Sequence, residues 1–332
     1  MTTRLILVGG FLGAGKTTLL WETAQRLAGR GLRVGLITND QAPELVDTAF
    51  LSRSGAKVAE VSGSCFCCNF QGLLDAMSKV HAEAVADVLI AEPVGSCTDL
   101  SATIIQPLRD RFQQELVIAP LSVMADPVRI ADILDGGTAG LHPSAAYIFR
   151  KQIEEADIVV ISKTDLLTSA ELDALKTRLS KAYPDTDIFT VSVKTGEGID
   201  AWLDEVTMRS DSGRHIAEVD YDVYAEGEAV LGWLNATIML HGAPTEWNLF
   251  SKSLLSGLSK RFDSMGASVG HVKLIIKAGD SFLMGNLTGK GDTITILGSV
   301  AASSEARLTL NARVQMSPEE LETIVREMIV LT

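Results

Sequence analysis

Two groups of residues in this chain have the types and spacing of chemical sites. Near the N-terminus, Gly10-Phe-Leu-Gly-Ala-Gly-Lys-Thr17 is a complete Gly-x-x-x-x-Gly-Lys-Thr loop, and further on Cys65-Phe66-Cys67-Cys68 brings three thiols within four residues. In the loop, Gly10, Gly13, Ala14 and Gly15 let backbone N–H groups converge on phosphates, and the N-terminus of the following helix, with Lys16, Thr17 and Thr18, adds partial positive charge. Lys16 bridges the outer phosphates of a nucleotide and the Thr17 hydroxyl binds Mg²⁺ in such a loop. Thiolates are soft donors that suit Zn²⁺, Cu(I) and other thiophilic ions. Three of them on one tight loop leave a tetrahedral position open, which suits exchange better than permanent closure.

A third group points to the base. Ser162-Lys163-Thr164-Asp165 follows an apolar run and is a variant of the Asn-Lys-x-Asp loop that selects guanine, with Ser in place of Asn. A carboxylate at Asp165 accepts hydrogen bonds from the guanine ring and exocyclic N–H groups, which adenine does not present on that edge. Ser192-Val193-Lys194-Thr195-Gly196 follows another apolar run and resembles the second guanine-contacting loop. The alternative for both is an ordinary polar turn.

The acid that serves magnesium follows from strand direction. In open parallel sheets, ligands lie beyond the carboxyl ends of the strands. Asp87 precedes the apolar run Val88–Ala91 and falls at the wrong end, whereas Glu92 follows it. Glu92 is therefore assigned to the magnesium–water shell or to water activation, with Lys16 as its catalytic companion and Gly95 supplying an N–H to the terminal phosphate. Asp40 and the loop Gln41–Asp47 are second candidates for the magnesium side. Cys97 lies just past Gly95 and is a candidate fourth thiolate, against the alternative of a simply buried Cys. A redox pair within Cys65–Cys68 has no thioredoxin-like context, and an iron–sulfur cluster requires more regular spacing. The five histidines are scattered along the chain.

These groups need a scaffold, and its pattern is that of a mostly parallel α/β sheet: short apolar runs alternate with amphipathic helical stretches. Strands are expected at Leu5–Val8, Arg33–Thr38, Lys57–Val61, Val88–Ala91, Leu116–Ala125, Asp157–Ile161 and Asp187–Ser192, with helices over Thr17–Ala28, Phe70–His81 and Ser169–Tyr183. The polar, turn-forming segment Arg209–Arg214 sets a domain boundary. Residues 1–210 read as a P-loop domain carrying the thiol loop, and 215–332 as a smaller α+β domain, ferredoxin-like in its strand and helix pattern, for client or partner recognition. Its strands are expected at Ala229–Leu240, Val272–Lys277, Phe282–Leu287, Thr293–Leu297 and Arg307–Val314, with helices near Glu246–Met265 and after Ser317.

Composition narrows the class. The chain has 332 residues and a net charge of −13, from 29 Lys plus Arg against 42 Asp plus Glu, which repels phosphodiester backbones. A nucleic-acid partner is not expected, nor a membrane one, because no apolar run is long enough to span a bilayer. The four cysteines lie between Cys65 and Cys97, a clustering that suits metal in a reducing cytosol better than disulfides. The first residues lead into the Gly-rich loop with no small-residue cleavage site, so a cytoplasmic protein is expected.

On Gly10–Thr18, Cys65-Phe-Cys-Cys68, Glu92-Pro-Val-Gly95 and Ser162-Lys-Thr-Asp165, in that order, the chain resembles the CobW/HypB/UreG-type metallochaperone GTPases, specifically their CobW-like branch. The resemblance covers about the first 210 residues. It implies binding of GTP and GDP with Mg²⁺, hydrolysis of GTP, and delivery of a metal, Zn²⁺ or Co²⁺, to a client metalloprotein. A GTP-dependent activator of a cofactor enzyme, such as one using a corrinoid, is the alternative, and homodimerisation is left open. The chain departs from the family in carrying Glu92-Pro-Val-Gly95 for Glu-Thr-Thr-Gly and Ser162 in the guanine loop, and it has no His-rich stretch.

Overall fold

The computed structural model describes residues 2–40, 56–62, 65–66, 69–84, 86–279, 281–288 and 293–332. Cys67, Cys68 and the loop Gln41–Asp47 lie outside the described residues. The chain divides into two compact units, Met1–Ala139 with Ala146–Tyr224, and Gly140–Ala145 with Ala225–Thr332.

In the first unit the apolar runs form one eight-stranded sheet. Its strands are β1 (Thr3–Gly10), β2 (Val34–Asp40), β3 (Lys57–Ser62), β4 (Val88–Glu92), β5 (Leu116–Ile118), β6 (Ser122–Ala125), β7 (Ile158–Ile161) and β8 (Asp187–Thr190). They lie in the order β3-β2-β4-β1-β6-β7-β8, with β5 also on β1, and every pairing is parallel. A parallel sheet is covered on both faces, so its strands are unbroken apolar runs rather than alternating ones. Leu5, Ile6, Leu7 and Val8 of β1 are accordingly all fully buried. Helices α1 (Lys16–Gly29), α2 (Phe70–Ala84), α3 (Gln106–Phe112), α4 (Pro127–Leu134), α5 (Pro143–Glu154), α6 (Ser169–Ala182) and α7 (Ile199–Met208) connect the strands. Helix α6 starts with a capping box in which Thr168 and Glu171 each bond the other's backbone N–H.

The single strand expected at Leu116–Ala125 is two strands. β5 pairs with the first half of β1 and β6 with its second half, and the break falls at Pro120, which has no N–H to give to the ladder. After β1 the chain crosses to β2 on one side, and after β6 it crosses to β7 on the other. The crevice beyond the carboxyl ends of β1 and β6 is therefore a topological switch point, the place where open α/β sheets bind ligands.

In the second unit, helix α8 (Tyr221–Ala229) closes just inside it and leads to β9 (Gly232–Thr245). The strand expected from Ala229 thus starts three positions later, at a glycine whose added Cβ would stand 2.1 Å from the Met316 carbonyl oxygen. Next come α9 (Trp247–Ser264), β10 (Val269–Ala278), β11 (Ser281–Thr288), β12 (Thr293–Gly298), β13 (Ser303–Val314) and α10 (Pro318–Leu331). The five strands form an antiparallel sheet in the order β12-β11-β10-β13-β9. β9 and β10 therefore run parallel with β13 between them, and α9 joins them as a split β-α-β unit. The unit departs from a ferredoxin-like pattern where β12 stands in place of a second crossover helix. Leu254, Leu258 and Phe262 of α9 and Leu321 and Val325 of α10 pack with Val272, Leu274, Leu308 and Leu310 in one core, so both helices cover one face of the sheet. No described helix is long and apolar enough to cross a membrane.

Candidate functional site

The Gly-rich loop joins β1 to α1. Gly10, Gly13 and Gly15 have φ of 127°, 80° and 97°, in the region that glycine enters without strain. A side chain at Gly10 is also excluded by space, since its Cβ would lie 2.4 Å from the Met124 carbonyl oxygen of β6. Gly15 caps α1 without any side-chain hydrogen bond, so the first turn keeps its backbone donors clear of a side-chain cap. Ala14 is buried and donates its N–H to the Phe11 carbonyl at 3.1 Å, which closes the loop. Thr18 follows in the first turn of the helix.

Lys16 and Thr17 are buried beside Glu92, the last residue of β4. Thr17 Oγ1 donates to Glu92 Oε1 at 3.2 Å, and Lys16 Nζ lies 3.9 Å from the same oxygen while donating to the Gly10 carbonyl at 2.7 Å. Asp87 sits at the other end of the strand, where Arg33 pairs with it at 2.7 Å and its hydrogen bonds hold the carboxyl at about 2. Gly95 returns to the loop: a Cβ there would meet Leu12 Cδ2 at 2.7 Å and Lys16 Nζ at 3.1 Å. Asp40 ends β2, in register with Ser62 at the end of β3. The Asp40 side chain lies outside the described residues.

The two loops read as guanine-contacting come together beyond β7 and β8. Ser192 Oγ donates to Asp165 Oδ1 at 2.7 Å, and Lys194 Nζ lies 3.6 Å from Asp165 Oδ2. Ser162 is buried and donates both its N–H, at 2.9 Å, and its hydroxyl, at 3.1 Å, to the Ala125 carbonyl of β6, so this Ser fixes the loop to the sheet. Val193 is half-buried and Lys194 exposed. Gly196 N–H donates to the Ser192 carbonyl at 2.8 Å, and Ser192 N–H to Glu197 at 3.0 Å, which makes the second loop a closed turn. Arg30, the C-cap of α1, bonds Asp204 and Asp200 of α7 at 2.7 and 3.1 Å, tying the end of the helix of the first loop to the helix after the last.

Two residues that sequence reasoning passed over, Asp126 and Arg129, hold these loops in place. Lys163, at φ 53°, pairs with Asp126 at 2.8 Å. Asp126 caps α4, accepting from the N–H groups of Val128 and Arg129. Burial works against its charge, but Lys163 and the Arg129 N–H outweigh burial and hold the carboxyl below its ordinary value. Arg129, itself buried, donates to the Leu12 carbonyl at 2.8 Å and stacks over Phe11, whereas burial pulls its guanidinium downward. The first turn of α4 thus touches the Gly-rich loop through Arg129 and the guanine-type loop through Asp126. The sequence signal was Asp126-Pro127, an N-cap followed by Pro directly after an apolar run.

Of the thiols, Cys65 and Cys97 are described, and both are buried. Asn39 of β2 accepts from Phe66 N–H at 2.6 Å and donates to the Val61 carbonyl at 2.9 Å, so the start of the thiol loop is held at the carboxyl end of β2. Cys97 closes a turn with Val94, its N–H donating at 2.9 Å. Among the described residues no group of three His, Cys, Asp or Glu side chains is placed to hold a metal ion. Cys67 and Cys68 are not among those residues.

The oxygens of Thr17 and Glu92 are hard donors at the end of a phosphate-type loop, a donor set that fits Mg²⁺. Among known proteins, the chain is 28% identical over 199 residues to the zinc chaperone CobW of a Sinorhizobium species, covering 52% of this chain and 54% of that protein. It is 29% identical over 182 residues to the zinc chaperone YeiR of Escherichia coli, covering 52% of this chain and 50% of that protein. The chain spans about half the length of the curated relatives it matches. The solved structure of the hydrogenase maturation factor HypB from Archaeoglobus fulgidus superposes with a TM-score of 0.44 at 21% identity, over 61% of this chain and 87% of that one. Residues 4–190 match the family of the CobW/HypB/UreG nucleotide-binding domain, and this chain belongs to that family.

Proposed function

We propose that the protein is a GTP-hydrolysing metallochaperone that binds Zn²⁺ at the Cys65–Cys68 loop and passes it to a client protein according to the state of its nucleotide. The observation that carries the hydrolytic part is the buried contact of Thr17 with Glu92 at 3.2 Å, beside Lys16 and at the mouth of the Gly-rich loop. The pairing of Asp165 with Ser192 and Lys194 supports guanine as the base. The metal part rests on the thiols and on the zinc chaperones to which the chain is similar.

In this reading the loop N–H groups and Lys16 hold the outer phosphates, and Asp165 accepts the guanine N–H donors. Thr17 and Glu92 are the residues that would hold Mg²⁺, which supplies charge neutralisation on the phosphates. Water attacks the terminal phosphorus and the bond to the bridging oxygen breaks, releasing GDP and phosphate. Glu92 orients that water, and Gly95 N–H donates to the terminal phosphate. Loss of that phosphate removes the contact with Gly95, so the segment after β4 differs between the GTP and GDP states.

Two measurements on the purified protein test the reading. Phosphate release from GTP should exceed that from ATP, and Zn²⁺ affinity by chelator competition should fall in the C65S/C67S/C68S variant. A protein that hydrolyses neither nucleotide sinks the first half. One that holds Zn²⁺ equally well without the thiols sinks the second. Nucleotide-dependent association with a cofactor enzyme that persists in the thiol variant would turn the reading toward an enzyme activator.

A further inference from the structure

The last turn of helix α5 and the residue just past it carry two polar side chains directed into the core, and both reach the segment that follows Glu92. Gln152 is 1% exposed, and its Nε2 donates to the carbonyls of Gly95 at 3.0 Å and Cys97 at 2.7 Å. Three residues on, the fully buried Glu155 accepts from Thr98 Oγ1 and from Ser101 N–H, each at 3.1 Å. Residues 95–101 are thus fastened by one helical turn.

The Gln152 amide is an uneconomical way to fill a core. Both of its N–H groups are used, but Oε1 is buried with no hydrogen-bond partner among the described residues. A buried unsatisfied acceptor destabilises the fold; a Met of similar shape avoids that cost but leaves the Gly95 and Cys97 carbonyls without this donor. A local rule broken in this way is expected where the groups a residue holds belong to a site. What the amide holds is informative: Gly95 lies between Gln152 on its carbonyl side and Lys16 and Leu12 of the Gly-rich loop at its α-carbon. The Val94–Cys97 turn closes the segment, so its two carbonyls move together.

We infer that Gln152 is a positioning residue for triphosphate sensing: it sets the Gly95–Cys97 turn so that the Gly95 N–H meets a terminal phosphate. The inference rests on the nucleotide reading above. Because GDP lacks the γ-phosphate, Gln152 should affect GTP and leave GDP alone, which a merely structural residue cannot do.

The test is the affinity of a non-hydrolysable GTP analogue and of GDP, each with Mg²⁺, for wild type, Q152M and Q152E. Q152M keeps the volume and removes both donors, and Q152E sets acceptor oxygens against the two carbonyls. The preference for the GTP analogue should fall roughly tenfold in Q152M, as expected for lost hydrogen bonds, and further in Q152E, with GDP affinity unchanged. Q152M leaves two buried carbonyls without this donor and should melt below wild type. That loss by itself would weaken both nucleotides alike, and Q152E provides the reading if Q152M fails to fold. Variants with the wild-type preference, or with both nucleotides weakened equally, overturn the inference and leave the function standing. A wild type that binds no guanine nucleotide overturns both.

Discussion

Thr17 donates its hydroxyl to Glu92 across 3.2 Å although 75 positions separate them in the chain. Parallel pairing of β1 with β4 makes this contact, because both strands end at the same edge of the sheet and deliver the next residues to one place. The pair is buried together with Lys16, so a hydroxyl, a carboxylate and an ammonium share one desolvated corner where electrostatic interactions are strong. Hydrolysis should depend on that corner more than nucleotide binding does.

Glu92→Gln keeps the shape and an acceptor but removes the charge. Its GTP hydrolysis should fall by roughly 100-fold or more, in the range of a lost acid–base or water-orienting group, with GDP affinity changed only a few-fold. Steady-state phosphate release and equilibrium titration read the two quantities. Hydrolysis within a few-fold of wild type would show that another group orients the water.

If Asp165 accepts from guanine as proposed, Asp165→Asn sets an amide donor against the guanine N–H groups. GTP affinity should drop by roughly 100-fold or more, as when a buried polar group loses its partner, while a base with a carbonyl in place of the exocyclic amine should gain. Ser192→Ala removes the 2.7 Å bond that orients Asp165 and should show a weaker loss in the same direction. Equal GTP affinity in Asp165→Asn would remove this loop from base recognition.

Glu155 has its carboxyl pushed up to about 8, chiefly by burial. The folded state therefore binds this proton more tightly than the unfolded chain does. The resulting stability is full below the unfolded value and is lost as pH rises through 8. Thermal melting followed from pH 5 to 9 should show that decline in wild type and a shallower one in Glu155→Gln. Identical slopes would mean that other groups set the pH dependence.

Arg129→Leu removes the buried donor to the Leu12 carbonyl and the Arg129 stack over Phe11. It should cost about 1–3 kcal/mol in denaturant unfolding, the range for a buried polar group left unsatisfied, and weaken both GTP and GDP. That uniform loss distinguishes support of the loop from the selective effect expected at Gln152.

The amino-acid sequence by itself determined the local parts. The Gly-rich loop is legible because Gly10, Gly13 and Gly15 occupy positions that need positive φ, and the parallel strands because burial on both faces leaves unbroken apolar runs such as Ile158–Ile161. It also placed Glu92 and not Asp87 at the carboxyl end of β4, the edge that carries the Gly-rich loop, since strand direction alone decides which end a residue occupies. Tertiary structure alone decided which distant groups meet. Nothing near Gln152 in the chain indicates that its amide holds Gly95 and Cys97, 57 and 55 positions away, or that Arg129 supports Leu12 across 117. Periodicity reports which face of a helix is buried but not which loop lies against it. A polar residue on a buried face acquires its meaning only from the partner that the packing brings to it.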